Sequence, residues 1–169
     1  MSKSMIQAIS KTQFVDHFFT LMGEIEIGDD FNSDKPSHVK WLHRRITQHF
    51  ERGVQFYALY SKHKTAMGFI ALWLDEALDD VPYLGQYSEV LDLGVLPEYR
   101  SQGLGCQLLK FAEHLANSSN HYCIYLSTYA KDHQVISFYK KNHYSIVATM
   151  PDVHGPNDEG KVWMRKLLR

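Results

Sequence analysis

A glycine-containing loop beside an arginine gives the clearest chemical signal in this sequence. Arg100 is followed by Ser101, Gln102, Gly103, Leu104 and Gly105, and a helix is predicted to begin there. Because glycine has no side chain, the backbone of residues 101–105 can curl tightly and bring its N–H groups close to a ligand. The first N–H groups of a helix lack partners and lie at the positive end of its dipole. With Arg100 as an adjacent cation, these residues predict a phosphate-binding site.

The spacing of the two glycines disfavours two common classes of nucleotide site. A Walker A loop ends in Gly-Lys-Ser/Thr, whereas Gly105 is followed by Cys106 and Gln107. The dinucleotide-binding fingerprint requires a third glycine three residues after the second, where this chain has Leu108. The loop therefore predicts a different phosphate-containing ligand.

The stretch resembles the acetyl-CoA loop of the GNAT N-acetyltransferase superfamily, whose pattern is Arg/Gln-x-x-Gly-x-Gly/Ala. Arg100, Gly103 and Gly105 fill this pattern in register, and the preceding Pro-Glu-Tyr at 97–99 matches as well. The resemblance implies acetyl-CoA as co-substrate, no metal, and a pyrophosphate held by residues 100–105.

Residues 132–144 are similar to a second signature of the family, Asn-x-x-Ala-x-x-Phe-Tyr-x-Lys-x-Gly-Phe. Phe138, Tyr139 and Lys141 occupy the Phe, Tyr and Lys positions, and the resemblance implies that Lys141 binds the cofactor. Asp132 replaces the Asn, and its negative charge would face an electronegative cofactor. We therefore leave Asp132 out of the expected binding residues.

Acyl transfer from a thioester to an amine requires a polarised carbonyl, a deprotonated amine and a protonated leaving thiolate. In the family, the strand before the loop separates from its neighbour and leaves backbone N–H groups for the pantetheine arm and the thioester oxygen. The resemblance implies that Gly94 and Val95 occupy this place, with Leu93 and Leu96 beside them. Backbone N–H groups suit this role because they are fixed before the reaction and donate without changing charge.

Two side chains are the expected proton carriers. Glu89 lies six residues before Val95, where several family members have the carboxylate that deprotonates the amine. A solvated Glu has a pKa of about 4.3, whereas an alkylammonium has one of about 10.4. Either burial must raise the pKa of Glu89, or water must relay the proton to it. Asp92 is the alternative base, although a regular strand directs it to the opposite face. Tyr139 is the expected acid for the thiolate. An ion pair and ordinary aromatic packing are the structural alternatives for Glu89 and Tyr139.

Hydrophobic patterning predicts the elements that position these residues. Residues 89–95 read as a buried strand that ends before Pro97, and a helix with apolar residues at three- and four-residue intervals follows the loop. Ser10 and Gln13 form a capping-box pattern for an earlier helix, and Pro36 opens another. Further strands are predicted at residues 5–9, 55–60, 65–73, 122–128, 145–149 and 161–168. Together with the resemblance, this predicts an α/β fold with a mixed, mostly antiparallel sheet of six to seven strands and helices on both faces.

Length and charge limit the remaining possibilities. At 169 residues the chain suits a single domain, residues 1–169, and its net charge of −1 argues against nucleic acid as a partner. It contains neither a signal-peptide pattern nor a run of about 20 apolar residues, so we expect a cytoplasmic protein that does not contact a membrane. The two cysteines are expected to be reduced, and the ten histidines are scattered without metal-site spacing.

We therefore expect transfer of acetyl from acetyl-CoA to a primary amine. The acidic residues within 74–87 favour a small cationic acceptor, although solvated surface charge explains them equally well. A peptide or protein amine is the alternative acceptor. A non-catalytic acyl-CoA-binding or sensor domain is the alternative function, against which Glu89 and Tyr139 argue. The resemblance also leaves a homodimer open.

Overall fold

The computed structural model describes residues 4–74, 86–153 and 155–168. Within these residues the helices are α1 Lys11–Ile27, α2 Pro36–Glu51, α3 Leu104–Ser118 and α4 His133–Lys141. The strands are β1 Met5–Ala8, β2 Gln55–Tyr60, β3 Ala66–Leu74, β4 Tyr87–Val95, β5 Cys123–Tyr129, β6 Ser145–Met150 and β7 Lys161–Leu167. They form a seven-stranded sheet in the order β1-β2-β3-β4-β5-β7-β6.

The sheet is mixed, as the sequence predicts. The pairs β1–β2, β2–β3, β5–β7 and β6–β7 are antiparallel, whereas β4 and β5 are parallel. The parallel register runs from Tyr87 opposite Cys123 to Val90 opposite Leu126 and ends there. A parallel pair requires a crossover, which here contains the predicted phosphate loop and α3.

The local signals for the first two helices are confirmed. Gln13 N donates to Ser10 Oγ at 3.3 Å, and Ser10 N donates to Gln13 Oε1 at 2.9 Å, so the capping box is complete. Pro36 is the first residue of α2, where its missing N–H costs no hydrogen bond. These starts depend on residues close in the chain, which explains why they are readable from sequence.

The chain divides into two compact units. The first comprises Met1–Trp73 and Asp92–Ala112, and the second comprises Leu74–Leu91 and Glu113–Arg169. The single-domain expectation therefore remains a prediction. No helix in the described ranges is long and apolar enough to span a bilayer.

An aromatic cluster forms the core of the first unit. The ring of Phe14 lies 4.6 Å from that of Phe56 and 4.9 Å from that of Phe69, measured between centroids. Phe18 packs on Phe69 at 5.2 Å, and all four rings are buried. This core joins α1 to β2 and β3 through apolar contact and edge-on ring packing.

Buried polar contacts accompany the apolar packing of the second unit. Ser88 Oγ and His121 Nδ1 share a hydrogen bond of 2.5 Å, and both residues are almost completely buried. Lys166 Nζ donates to Glu113 Oε2 at 2.7 Å, which joins β7 to the carboxyl-terminal half of α3. These partners satisfy polar groups that burial would otherwise leave without water.

Candidate functional site

The predicted phosphate loop follows directly from the end of β4. Residues Pro97–Tyr99 form one turn of 3-10 helix, in which Tyr99 N donates to Leu96 O and Arg100 N donates to Pro97 O. Ser101 and Gly103 then adopt left-handed backbone conformations, with φ of 62° and 78°. These two reversals turn the chain into α3, which begins at Leu104.

The N–H groups of this loop are available to a ligand. Within the part of the chain that the structure describes, no hydrogen-bond acceptor is found for the backbone N–H groups of residues 101–105. Gly103 has open space on the side where a Cβ would lie. The loop therefore presents a row of unpaired donors at the amino end of a helix, an arrangement that suits an anion.

Two long side chains bind back to the backbone that leads into the loop. Arg100 Nε donates to Val95 O at 3.0 Å, and Gln102 Nε2 donates to Glu98 O at 3.4 Å. The exposed guanidinium of Arg100 is thereby tied to the carboxyl end of β4. The positive charge of Arg100 therefore lies close to the loop, and the side chain makes no hydrogen bond with the N–H groups of residues 101–105.

The end of β4 is shaped by close backbone packing. A Cβ on Gly68 would lie 2.6 Å from Gly94 O, so β3 and β4 approach too closely for a side chain there. A Cβ on Gly94 would meet Leu21 and Ile25 of α1 at 2.9 Å. Burial alternates along β4, with Gly94 on the buried face and Leu93 and Val95 on the half-buried one.

Both predicted proton carriers lie in the second unit. Glu89 is half-buried on β4 and stands in register with Tyr125 of β5. Tyr139 is 7% exposed on α4, with its ring centroid 5.1 Å from that of Phe138 and 5.8 Å from that of Tyr144. Burial and the negative charge of Glu113 raise the pKa of Tyr144, which therefore remains a neutral phenol. Tyr139 thus belongs to an aromatic group whose other members, Phe138 and Tyr144, are not expected to transfer a proton.

Asp132 has a structural role that explains its presence in the second signature. Asp132 Oδ1 accepts a hydrogen bond from Val135 N at 3.2 Å and caps α4. At the other end of α4, Lys141 is exposed and borders a cavity of about 400 Å³ that is also lined by His133, Gln134, Ser137 and Phe138.

The structure also brings together three residues that the sequence analysis did not connect. His49 Nε2 on α2 lies 3.8 Å from Glu26 Oε1 on α1 and 4.0 Å from Asp92 Oδ2 on β4. Arg45 Nε donates to Glu26 Oε1 at 2.9 Å. Burial alone would raise the pKa of Glu26, but the nearby His49 and Arg45 outweigh that effect and lower it. The available signal was the position of His49, three residues after buried Ile46 on the apolar stripe of α2.

The acidic segment at residues 74–87 gives no further geometry for the site. Residues 75–85 lie outside the described residues, so the expectation that the acidic residues of this segment favour a cationic acceptor has no structural counterpart.

Comparisons with known proteins agree with one another on the fold. A family model described as "Acetyltransferase (GNAT) family" matches residues 22–144. The ribosomal-protein-S18-alanine N-acetyltransferase of Escherichia coli superposes with a TM-score of 0.71 at 15% identity, over 98% of this chain and 94% of that one. Arabidopsis thaliana Naa50 in complex with the bisubstrate analogue CoA-Ac-MVNAL gives 0.67 at 19% identity, over 96% and 97%. An N-acetyltransferase from Staphylococcus aureus Mu50 gives 0.71 at 15%, over 99% and 100%. Comparison with curated proteins finds no similar sequence.

The capping role of Asp132 predicts different effects for two substitutions. Asp132→Ala removes the acceptor for Val135 N and is expected to lower the free energy of unfolding by about 1 kcal/mol. Asp132→Asn keeps a side-chain oxygen and is expected to stay within about 0.5 kcal/mol of the original protein. Urea unfolding followed by circular dichroism measures both, and equal losses in the two variants would contradict the capping role.

Proposed function

Because this chain belongs to the acetyltransferase (GNAT) family, we propose that it transfers an acetyl group from acetyl-CoA to a primary amine. The observation that carries the proposal is the loop at residues 101–105, whose backbone N–H groups have no acceptor among the described residues. A pyrophosphate needs several donors in a small volume, and such a loop supplies them without a desolvated side chain.

Arg100 complements these donors with a full positive charge. Its hydrogen bond to Val95 O limits the conformations of the side chain before any ligand arrives. Less conformational freedom is then lost on binding, which increases affinity for a given set of contacts. In this proposal the pyrophosphate binds residues 100–105, and Lys141 provides a second cationic contact with the cofactor.

In the chemical step, the backbone of β4 and the side chains of Glu89 and Tyr139 each have one role. Backbone N–H groups at Gly94 and Val95 polarise the thioester carbonyl and stabilise the negative charge that develops on its oxygen. Glu89, directly or through water, takes a proton from the amine, whose nitrogen forms a bond to the carbonyl carbon. The carbon–sulfur bond breaks, and Tyr139 donates its proton to the departing thiolate.

Glu89 is preferred to Asp92 as the base because of their surroundings. Glu89 lies on the half-buried face of β4, whereas Asp92 is 6% exposed and faces His49 on the buried side of the strand. A base must reach the substrate nitrogen directly or through one water, which favours the more accessible carboxylate.

The acceptor is proposed to be a small cationic amine. The support is the acidic composition of residues 74–87, which include Asp75, Glu76, Asp79 and Asp80 and would attract an alkylammonium. A peptide amine is the second candidate, because the Escherichia coli relative is named for a ribosomal-protein alanine and the Arabidopsis one binds a CoA–peptide analogue.

Turnover with a panel of amines tests the function. The free thiol released from acetyl-CoA is measured with polyamines, aminoglycosides and short peptides that have free amino ends. CoA binding is measured separately by calorimetry. We expect thiol release with at least one amine, and faster release with a cationic small molecule than with peptides. Tight CoA binding with no release from any acceptor would instead identify a non-catalytic CoA sensor.

Gly103→Val tests the loop separately from the chemistry. Valine at a φ of 78° strains the backbone by about 1–3 kcal/mol, while the open space around Gly103 avoids a clash. We expect the Kd for CoA to rise by about tenfold. Lys110→Ala, an exposed change on α3, is the matched control and should leave the Kd unchanged.

Tyr139→Phe tests the general acid. Removing the hydroxyl while keeping the ring should lower kcat by about a hundredfold and change the CoA affinity less than twofold. Tyr144→Phe is the matched control, because it removes a neighbouring buried phenol from the same aromatic group. Equal effects of the two substitutions on kcat would remove Tyr139 from the acid role.

A further inference from the structure

One imidazole and two carboxylates lie together inside the first unit. His49 is 2% exposed, and the side chains of Asp92 and Glu26 are 5% and 16% exposed. One ligand atom from each residue lies within 4.8 Å of the other two. The three residues come from α1, α2 and β4 and have no task in the proposed acetyl transfer.

His49 is the observation that points to a ligand. Neither of its buried ring nitrogens has a hydrogen-bond partner among the described residues, and Nε2 faces the two carboxylates at 3.8 and 4.0 Å. Buried polar atoms in folded proteins are almost always satisfied. An imidazole held at this distance from two carboxylates is suited to share a cation with them.

From this arrangement we infer that Glu26, His49 and Asp92 form a binding site for a divalent transition-metal ion, with Zn²⁺ as the preferred ion. Ligand atoms at about 2.0–2.2 Å from a tetrahedral ion are about 3.4 Å apart, so the three side chains need to shift by less than about 1 Å. Zn²⁺ commonly takes three protein ligands and leaves a fourth position to water. An imidazole in the set favours Zn²⁺ over Mg²⁺ and Ca²⁺, which prefer oxygen ligands.

The surrounding charges agree with a bound cation. Within the group formed by these three residues and Arg45, two carboxylates face one permanent positive charge. Arg45 Nε donates to Glu26 Oε1, as outer partners of metal-bound carboxylates do, and so fixes the orientation of that carboxylate. A divalent ion therefore finds compensating negative charge and at least one ligand already held in place.

A cavity of the first unit borders His49. It measures about 360 Å³ and is lined by Arg45, Gln48, His49, Glu51 and Arg52. A cavity of this size admits water and a hydrated ion. Because the ligands come from three separate elements, the ion would join α1 and α2 to β4 and stabilise the first unit.

Calorimetry on the full chain after removal of metal by a chelator tests the site. We expect the protein to bind one equivalent of Zn²⁺, and its Tm to rise by about 5 °C or more at about a hundredfold excess over the Kd. His49→Gln is expected to weaken binding by about a hundredfold. His43→Gln, an exposed change on the same helix, is the matched control and should bind Zn²⁺ like the original protein. Mg²⁺ should produce no shift in Tm.

Two further variants replace His49→Gln if it does not fold, and the original protein is tested with them. If His49→Gln does not fold, Glu26→Gln and Asp92→Asn replace it, and each should weaken Zn²⁺ binding by about tenfold or more. Absence of stoichiometric Zn²⁺ binding in the original protein would overturn the inference. Equal Zn²⁺ affinity in the original protein and in the His49, Glu26 and Asp92 variants would also overturn it, because exposed histidines would then be the ligands. Neither result depends on acetyl transfer.

Discussion

The proposed function depends on backbone N–H groups that have no acceptor among the described residues, at the point where β4 passes into α3. Two left-handed residues, Ser101 and Gly103, place these donors at the amino end of the helix instead of pairing them within a turn. Maintaining unpaired donors is unfavourable unless water or a ligand satisfies them, so the loop must remain open to its surroundings. The hydrogen bond from Arg100 to Val95 O and the 3-10 turn before it hold the loop in that form. The same N–H groups carry the proposal of CoA binding.

The features that sequence reasoning predicted are those decided by neighbouring residues. The capping box at Ser10, the proline that opens α2 and the seven strands all follow from spacings of a few residues, and the structure has them within one or two residues of the predicted bounds. The mixed sheet followed from the resemblance and is confirmed. The roles of Glu89, Tyr139 and the loop residues stay predictions, because contacts with a substrate decide them.

Features that depend on distant parts of the chain were not predictable. Glu26, His49 and Asp92 belong to three elements whose packing alone brings them together, and a scattered histidine carries no spacing signal. Asp132 shows a subtler limit. The negative charge of Asp132 disfavours contact with the cofactor, whereas its side-chain oxygen accepts a hydrogen bond from Val135 N in α4, an interaction that Asn also makes. A substitution within a family signature can therefore preserve a local fold requirement while changing the charge.

The close approach of Gly68 to Gly94 has a consequence for sequence drift in this lineage. A methyl group at position 68 would displace backbone, and one at position 94 would displace the side chains of Leu21, Ile25 and Phe69. Both glycines would consequently persist in a descendant that had lost its chemistry but kept its shape. Glycine at position 94 is thus a marker of architecture, and it says nothing about whether a related chain still turns over substrate.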